Sequence, residues 1–375
     1  MQRSSFRDLL PRWASHIRPY PTGKPVEEVE RELGRTAVKL ASNENPLGPS
    51  PKAIEAICQT LRRIHLYPDS SGYELRKRLA EFHQLEMNQI ILGAGSTELI
   101  ELAAKTFLSV EDEGVSPESS FLIYRLAIEE TGATLALAPL RDRSIDLDGV
   151  RQIVTPRTKV VYLANPNNPT GTLFTAAEFD RFLNALPAHV LVVLDEAYCD
   201  YVERADYSHA LDYVRGGKNV LVLRTFSKVY GLAGLRVGYG MGHSELIESL
   251  NRVRAPFNTS RPSQAAALAA LGDQDHVAQS VESNAREMRF VSEELTLLGV
   301  KYTPSSANFL LIDTGRDCEQ DFLRLLEEGV IVRPMKMYGF PSALRVTLGT
   351  HQDNELFLEA LQHILFRPPA SLPEP

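Results

Sequence analysis

The chain has 375 residues, of which 43% are hydrophobic and 23% charged, and its formal net charge is −8. This length accommodates two or three domains, and the composition is ordinary for a soluble globular protein. The acidic balance argues against nucleic acid as the principal partner. The cysteines Cys58, Cys199 and Cys318 lie far apart without metal-binding spacing, which predicts reduced, buried thiols, a cytoplasmic location and no metal site. The N-terminus lacks a continuous apolar segment and VLVVL at 190–194 is short, so we expect neither export nor membrane insertion.

From about residue 50 to 250, amphipathic stretches alternate with short β-branched apolar runs. This pattern predicts an α/β fold with a mostly parallel sheet and helices on both faces. The predicted strands are IILG near 90, TLALA near 134, KVVYLA near 159, VLVVLD near 190, NVLVLR near 219 and RVGYG near 236. Their helices are predicted to begin at Pro51, Tyr73, Ser96, Thr175 and Ser244.

The pattern changes after about residue 255. Helices at 261–271 and 275–298 precede ANFLLID, a helix near 317–328, GVIVRP, ALRVTLG and a last helix from Asp353. We therefore predict a large domain at 46–255 and a smaller α+β domain at 256–375, joined by the N-terminal segment 1–45.

Polar segments follow four of the predicted strands, and ligands of open α/β sheets bind at the carboxyl ends of strands. AGSTELIELAAKTF leads into a helix N-terminus, which can bind phosphate. NPNNPTG is equally consistent with a plain turn. Asp195 ends VLVVLD, and Lys228 stands in TFSKVYGLAGLRVGY after NVLVLR. A lone lysine is more often a solvated charge, so its interpretation depends on its neighbours.

A pyridine-ring cofactor with a phosphate group accounts for these segments together. A lysine such as Lys228 can form an imine with an aldehyde, and Asp195 can hold a pyridine nitrogen protonated. The candidate phosphate ligands are Gly95, Ser96, Thr97, Thr225, Ser227 and Arg236. Other cofactor motifs fit poorly: GAGSTE departs from GxGxxG, and neither the P-loop motif nor GxSxG occurs.

The chain resembles the fold-type I pyridoxal-phosphate enzymes and, within them, the histidinol-phosphate aminotransferases. The segments that carry the resemblance are ASNENPLGPSP, LYPD, GAGSTELI, NPNNPTG, LDEAYCDY, TFSKVYGLAGLRVGY, VRAPFNTS, ANFLL, GVIVRP and LRVTLGT. The resemblance implies a fold-type I architecture, the cofactor pyridoxal 5′-phosphate and a homodimer with active sites at the subunit interface. It also implies amino transfer between L-histidinol phosphate and 2-oxoglutarate in histidine biosynthesis.

Position by position, Lys228 resembles the lysine that binds the cofactor, and Asp195 resembles the partner of its pyridine nitrogen. Tyr198 and Asn168 match the pair that bonds the ring's phenolic oxygen. Phe121 matches the aromatic residue that stacks on the ring, although a tyrosine is common in the family there.

The resemblance also implies substrate ligands. Arg345 resembles the arginine that binds the substrate α-carboxylate, and Tyr67 resembles a residue that reaches the phosphate in the neighbouring subunit's site. Tyr20 and Arg333 are candidates for the substrate phosphate, although Tyr20 is equally consistent with an interface aromatic residue and Arg333 with an ion pair. Asn45 in NENP is consistent either with a turn former or with a substrate contact.

Three other functions stay open at this stage. An aromatic amino-acid aminotransferase would prefer phenylalanine or tyrosine, and an amino-acid-phosphate decarboxylase would release carbon dioxide without a keto acid. A non-catalytic regulator would need a DNA-binding domain, and the sequence shows no appended basic module.

Overall fold

The computed structural model describes residues 6–11, 13–17, 24–207 and 210–366. The strands are β1 Val38–Lys39, β2 Ile90–Gly93, β3 Glu113–Pro117, β4 Thr134–Ala138, β5 Leu140–Arg141, β6 Ser144–Ile145, β7 Thr158–Ala164, β8 Leu191–Asp195, β9 Val220–Thr225, β10 Gly238–Met241, β11 Lys301–Thr303, β12 Phe309–Asp313, β13 Val330–Ile331, β14 Arg333–Pro334 and β15 Ala343–Thr347. The helices are α1 Val26–Leu33, α2 Pro51–Thr60, α3 Tyr73–His83, α4 Gly95–Phe107, α5 Leu122–Glu129, α6 Leu147–Gln152, α7 Ala176–Ala185, α8 Ala210–Arg215, α9 Ser244–Asn251, α10 Arg261–Leu271, α11 Gln274–Leu297, α12 Cys318–Glu327 and α13 His351–Phe366.

A seven-stranded sheet in the order β2-β10-β9-β8-β7-β3-β4 forms the centre of the chain. Strands β9, β8, β7, β3 and β4 are parallel, and β10 runs antiparallel to both β9 and β2. Helices cover both faces, so alternate residues of β8 enter two different cores: Val192 and Leu194 pack with α7 and α10, whereas Leu191 and Val193 pack with α4 and α5. The predicted fold class is confirmed.

Strand β3 was not predicted from the sequence. Its residues EGVSP contain a single β-branched apolar side chain, Val115, yet it lies between β4 and β7 with every residue buried. Its neighbours supply the hydrophobic surface, so the strand forms by pairing and not by its own propensity.

A four-stranded antiparallel sheet, β11-β12-β15-β14, forms the second unit with α11, α12 and α13. The N-terminal segment joins this unit because β1 pairs in parallel with β13. Helix α10 packs instead on α2 and belongs to the core of the large sheet. We therefore propose that the division between the two units follows α10 and not residue 255.

Within the described parts of the chain, no helix combines the length and apolar character that crossing a membrane requires.

The glycines of GLAGLRVGY differ sharply in the space around them. A Cβ atom on Gly238 would lie 2.7 Å from the Ser96 backbone nitrogen and 2.9 Å from the Arg224 carbonyl oxygen, whereas one on Gly234 would have no neighbour within 4 Å. We expect Gly238→Ala to lower the free energy of unfolding by about 1–3 kcal/mol, because backbone must move to admit the methyl group. Gly234→Ala is the matched control, with an expected change within about 0.5 kcal/mol. Urea unfolding of both variants measures the difference, and equal stability would contradict the close approach of β10 to α4.

Candidate active site

A cavity of about 590 Å³ opens at the carboxyl ends of β7, β8 and β9, where the two units meet. Twelve of the side chains predicted from the sequence line it: Ser96, Thr97, Phe121, Asn168, Asp195, Tyr198, Thr225, Ser227, Lys228, Arg236, Arg333 and Arg345. They come from segments up to 249 residues apart in the chain, because parallel strands deliver their carboxyl ends to one edge of the sheet.

Lys228 follows β9 in a loop that a glycine closes. The Gly231 amide donates to the Lys228 carbonyl, and a Cβ on Gly231 would lie 2.1 Å from the Gly48 carbonyl oxygen, so this turn requires glycine. The Lys228 Nζ donates to the Ser42 carbonyl at 3.2 Å and lies 5.6 Å from the centre of the Tyr198 ring. Burial, helped by the positive charge of Arg345, lowers the pKa of the Lys228 ammonium to about 8. A useful fraction of the amine is therefore neutral and nucleophilic near neutral pH.

Asp195 is the last residue of β8 and is 5% exposed. Its Oδ2 accepts the Tyr124 hydroxyl at 2.8 Å, and its Oδ1 accepts the Ala197 amide at 3.0 Å. Burial raises the pKa of Asp195 to about 6, although both hydrogen bonds act in the opposite direction. The site therefore holds a carboxylate that a cationic ring nitrogen would stabilise.

The sequence prediction did not include Tyr124. Its ring is fully buried and stacks on Tyr162 at 5.4 Å, which fixes its hydroxyl against Asp195. Its position three residues after Phe121, one helical turn away, is the signal that could have pointed to it.

One corner of the cavity gathers donors for an anion. The first amides of α4 have no partner within the helix, and Ala94 provides no side-chain cap. The Arg236 Nη1 donates to Ser227 Oγ at 3.3 Å, and a Cβ on Gly95, whose φ is +78°, would lie 2.5 Å from Arg236 Nη2. Only glycine lets the guanidinium approach the helix N-terminus so closely, and the combination favours a phosphate group.

Arg345 of β15 lies on the opposite wall with 7% exposure. Its Nη1 donates to Asn168 Oδ1 and its Nη2 to the Ala41 carbonyl, both at 2.6 Å. Among the described residues its buried Nε has no hydrogen-bond partner. The buried Arg345 guanidinium thus lacks one acceptor, and an anionic ligand would supply it.

The remaining predicted residues have different positions. Arg333 lines the cavity and pairs with Arg345 across β14 and β15. Asn45 does not line the cavity, because its amide donates to the Val229 carbonyl and to Ser280 Oγ and thereby braces the loop. Tyr67 is 79% exposed and stacks on Phe257, away from the cavity of its own chain. Tyr20 lies outside the described residues.

The described ranges bring together no group of three or more metal-ligating side chains.

The raised pKa of Asp195 predicts a stability cost in the cofactor-free protein. A carboxyl whose pKa is about 6 when folded and 3.8 ordinarily stabilises the fold when protonated, and this contribution disappears as pH rises through 6. We expect Asp195→Asn, which lacks the charge, to be more stable than the parent by about 1–3 kcal/mol at pH 7.5, at roughly 1.4 kcal/mol per pKa unit. The advantage should shrink as pH falls toward 4.

Denaturant unfolding of the cofactor-free protein at several pH values measures this difference. Asp180→Asn is the control, because the exposed Asp180 also accepts a tyrosine hydroxyl, from Tyr213, but is not buried. A less stable Asp195→Asn variant at pH 7.5 would contradict the cost assigned to the buried charge.

The chain is similar to known aminotransferases along most of its length. Residues 35–361 match the family of class I and II aminotransferases. The histidinol-phosphate aminotransferases of Moorella thermoacetica and of an Anaeromyxobacter species are 47% and 49% identical to the chain; the alignments cover 93% and 95% of it and 91% and 99% of those proteins. The crystal structure of histidinol-phosphate aminotransferase from Sinorhizobium meliloti in complex with pyridoxal-5′-phosphate matches with a TM-score of 0.88 at 28% identity, covering 95% of this chain and 97% of that one. The chain therefore belongs to the aminotransferase class I and II family.

Proposed function

We infer that the chain is a pyridoxal-phosphate-dependent aminotransferase that moves an amino group between L-histidinol phosphate and 2-oxoglutarate, a step of histidine biosynthesis. The observation that carries this function is the placement of a nucleophilic amine, Lys228, and a buried carboxylate, Asp195, in one cavity with an anion-binding corner. The relatives described above carry the same activity in their names.

The residues of the cavity fit pyridoxal phosphate. The corner formed by α4 and Arg236 suits its phosphate, and Asp195 suits its pyridine nitrogen. Lys228 supplies the amine for its aldehyde carbon, and Phe121 supplies an aromatic face for its ring. When bound, the cofactor provides an electron-withdrawing ring that stabilises negative charge on the substrate carbon.

The protein side chains bind, orient and move the proton. Asp195 would keep the ring nitrogen protonated, and Asn168 and Tyr198, which line the same cavity, would donate to the phenolic oxygen. With the cofactor bound, the Lys228 amine would take the proton from the substrate Cα atom and would deliver it to the cofactor's C4′ atom. Its lowered pKa suits both directions of this transfer.

Two neighbouring arginines, Arg345 and Arg333, suit the anionic groups of the two proposed substrates. Glutamate carries its α-carboxylate on the amine-bearing carbon itself, and histidinol phosphate carries its phosphate on the CH2–O group next to that carbon, so both anions lie close to the amine. Arg345, with its incomplete set of acceptors, can bind either anion, and Arg333 lies beside it on the neighbouring strand. Lys24 and Lys39 also line the cavity, but ion pairs with Glu28 and Glu32 and with Glu44 offset their charges.

We propose that the protein is a homodimer with active sites at the subunit interface. An apolar surface lies in and after α2 and around Phe257, where large hydrophobic side chains are exposed: Ile54, Leu61, Ile64, Leu66, Tyr67 and Phe257. A second copy of the chain would bury this surface and would bring Tyr67 to the phosphate corner of the partner's site. A cytoplasmic location stays a prediction. Among the described residues the three cysteines are unpaired, but the prediction that all of them are buried is wrong: Cys58 in α2 is exposed, Cys199 is partly buried and Cys318 is buried.

Steady-state kinetics tests the substrate assignment. With 2-oxoglutarate as acceptor, we expect kcat/KM for L-histidinol phosphate to exceed that for phenylalanine or tyrosine at least about tenfold. A phosphate has more negative charge and more acceptor oxygens than an α-carboxylate, and it therefore satisfies more donors of Arg345 and Arg333. Lys228→Ala is the background control and should lose both turnover and the visible absorbance of the bound cofactor. A preference for phenylalanine or tyrosine would instead identify an aromatic aminotransferase, and carbon dioxide release without a keto acid would identify a decarboxylase.

Mixing two impaired variants tests whether each active site is formed by both subunits of the dimer. We expect Tyr67→Ala to lower turnover roughly 10- to 100-fold, the loss of one charge-assisted hydrogen bond. Unfolding and refolding it with an equal amount of Lys228→Ala should restore about a quarter of the parent activity, since half of the dimers then contain one complete site. Lys228→Ala mixed with Asp195→Ala is the control and should restore nothing, because those residues belong to the same subunit. No recovery in the first mixture would contradict the contribution of Tyr67 across the interface.

A further inference from the structure

We propose that Asn43 is a positioning residue that directs the hydroxyl hydrogen of Tyr198 into the cavity, toward the phenolic oxygen of the cofactor. This role rests on the proposed function, because it requires pyridoxal phosphate in the cavity. Asn43 itself lines the cavity, and the role proposed for its side chain is exerted through the hydrogen bond to Tyr198.

The contact between the two residues sets the direction of the tyrosine hydroxyl. Asn43 is 1% exposed, and its Nδ2 donates to the Tyr198 hydroxyl oxygen at 2.8 Å. A hydroxyl that accepts an N–H hydrogen bond keeps its own hydrogen for another acceptor. On Tyr198, which lines the cavity, that hydrogen can then be donated to a ligand.

Thr347 fixes which end of the Asn43 amide faces Tyr198. The Thr347 hydroxyl accepts the Asn43 backbone amide at 2.9 Å and donates to the Asn43 side-chain oxygen at 3.0 Å. The amide nitrogen is therefore left for Tyr198. In the reversed orientation the amide oxygen would accept the Tyr198 hydrogen and turn it away from the cofactor.

The backbone of Asn43 is also specialised. Its φ is 55°, a left-handed conformation that asparagine tolerates better than most residues. Asn308 donates to its carbonyl at 3.1 Å, so the smaller unit holds Asn43 through both Asn308 and Thr347. Thr347 lies on β15 two residues after Arg345, so one strand carries the substrate-binding arginine and orients the amide.

A spectroscopic titration of the cofactor-loaded protein tests the proposal. A donor to the phenolic oxygen makes the nitrogen that joins Lys228 to the cofactor less basic. We expect Asn43→Gly to raise the pH midpoint of the visible absorbance change by about half to one pH unit, the equivalent of one ordinary hydrogen bond. Glycine is chosen because it adopts the positive φ without strain.

The decisive comparison is made in the Tyr198→Phe background. Tyr198→Phe alone should raise the midpoint at least as much, and Asn43→Gly should then add nothing, because the hydroxyl it orients is gone. The charged groups around the site, Lys228, Asp195, Arg345, Arg236 and Glu44, are the same in all variants. An equal shift in both backgrounds, or no shift in either, would overturn the proposal.

Two further variants separate positioning from general loosening of the loop. Asn308→Ala removes hydrogen bonds to the same loop, at the Asn43 and Glu44 carbonyls, and should reduce stability without moving the midpoint. Thr347→Val removes the hydroxyl that fixes the amide and should shift the midpoint in the same direction as Asn43→Gly. It serves as the test if Asn43→Gly does not fold, and an unchanged midpoint would then overturn the proposal.

A measurement without cofactor distinguishes this proposal from the proposed function. In the cofactor-free protein, the losses of unfolding free energy from Asn43→Gly and Tyr198→Phe should be less than additive, whereas those from Asn308→Ala and Tyr198→Phe should add. If the parent protein neither binds pyridoxal phosphate nor transfers amino groups, the proposed function fails even if the two residues are coupled. Additive losses for Asn43 and Tyr198 in a functional aminotransferase would reject the positioning role alone.

Discussion

The buried ion pair between Glu196 and Arg224 joins the ends of β8 and β9 at the point where the active-site residues leave the sheet. The Glu196 carboxylate is 1% exposed and accepts two hydrogen bonds from the Arg224 guanidinium, at 2.8 and 3.0 Å, while its backbone amide donates to the Leu223 carbonyl. Side chains of a strand alternate between faces, so Asp195 and Thr225, the neighbours of this pair, point to the other side, toward the cavity. The ion pair on one face of the sheet thus fixes the position of Asp195 relative to the loop that carries Lys228 on the other face.

Burial in the cavity disfavours the charged forms of Lys228 and Asp195 and thereby shifts their pKa values. Burial lowers the pKa of Lys228 to about 8 and raises that of Asp195 to about 6, which in each case moves the group toward its neutral form. A cationic ring nitrogen would compensate Asp195, and covalent attachment would remove the ammonium charge of Lys228. The fold therefore holds two charged groups at an energetic cost that a bound cofactor would reduce, and this reduction would favour cofactor binding.

Much of this arrangement could be predicted from the sequence, because the main signals are local. Apolar runs that end in Asp195 or precede Lys228 mark strand ends, and strand ends of a parallel sheet meet at one edge. Features that depend on distant partners were not predictable in the same way. Strand β3 is buried in an apolar environment, although few of its own residues are apolar. The role of Tyr124 depends on the packing of α5, which brings the tyrosine hydroxyl to Asp195. The two asparagines of NENP look alike in sequence, yet Asn43 contacts Tyr198 whereas Asn45 braces the loop behind Lys228.

The smaller unit also orients two amide side chains of the cavity, those of Asn168 and Asn43. Arg345 donates to Asn168 Oδ1, which leaves the Asn168 amide nitrogen to donate elsewhere, just as Thr347 leaves the Asn43 amide nitrogen for Tyr198. Asn168 and Tyr198, the two proposed donors to the cofactor's phenolic oxygen, would thus be oriented, directly or through one residue, by side chains of β15. If Arg345 binds the substrate anion as proposed, its hydrogen bond to Asn168 would compete with that anion, because both use the same guanidinium. Substrate binding would then act on a donor to the phenolic oxygen through one side chain of β15, with no need for a separate conformational signal.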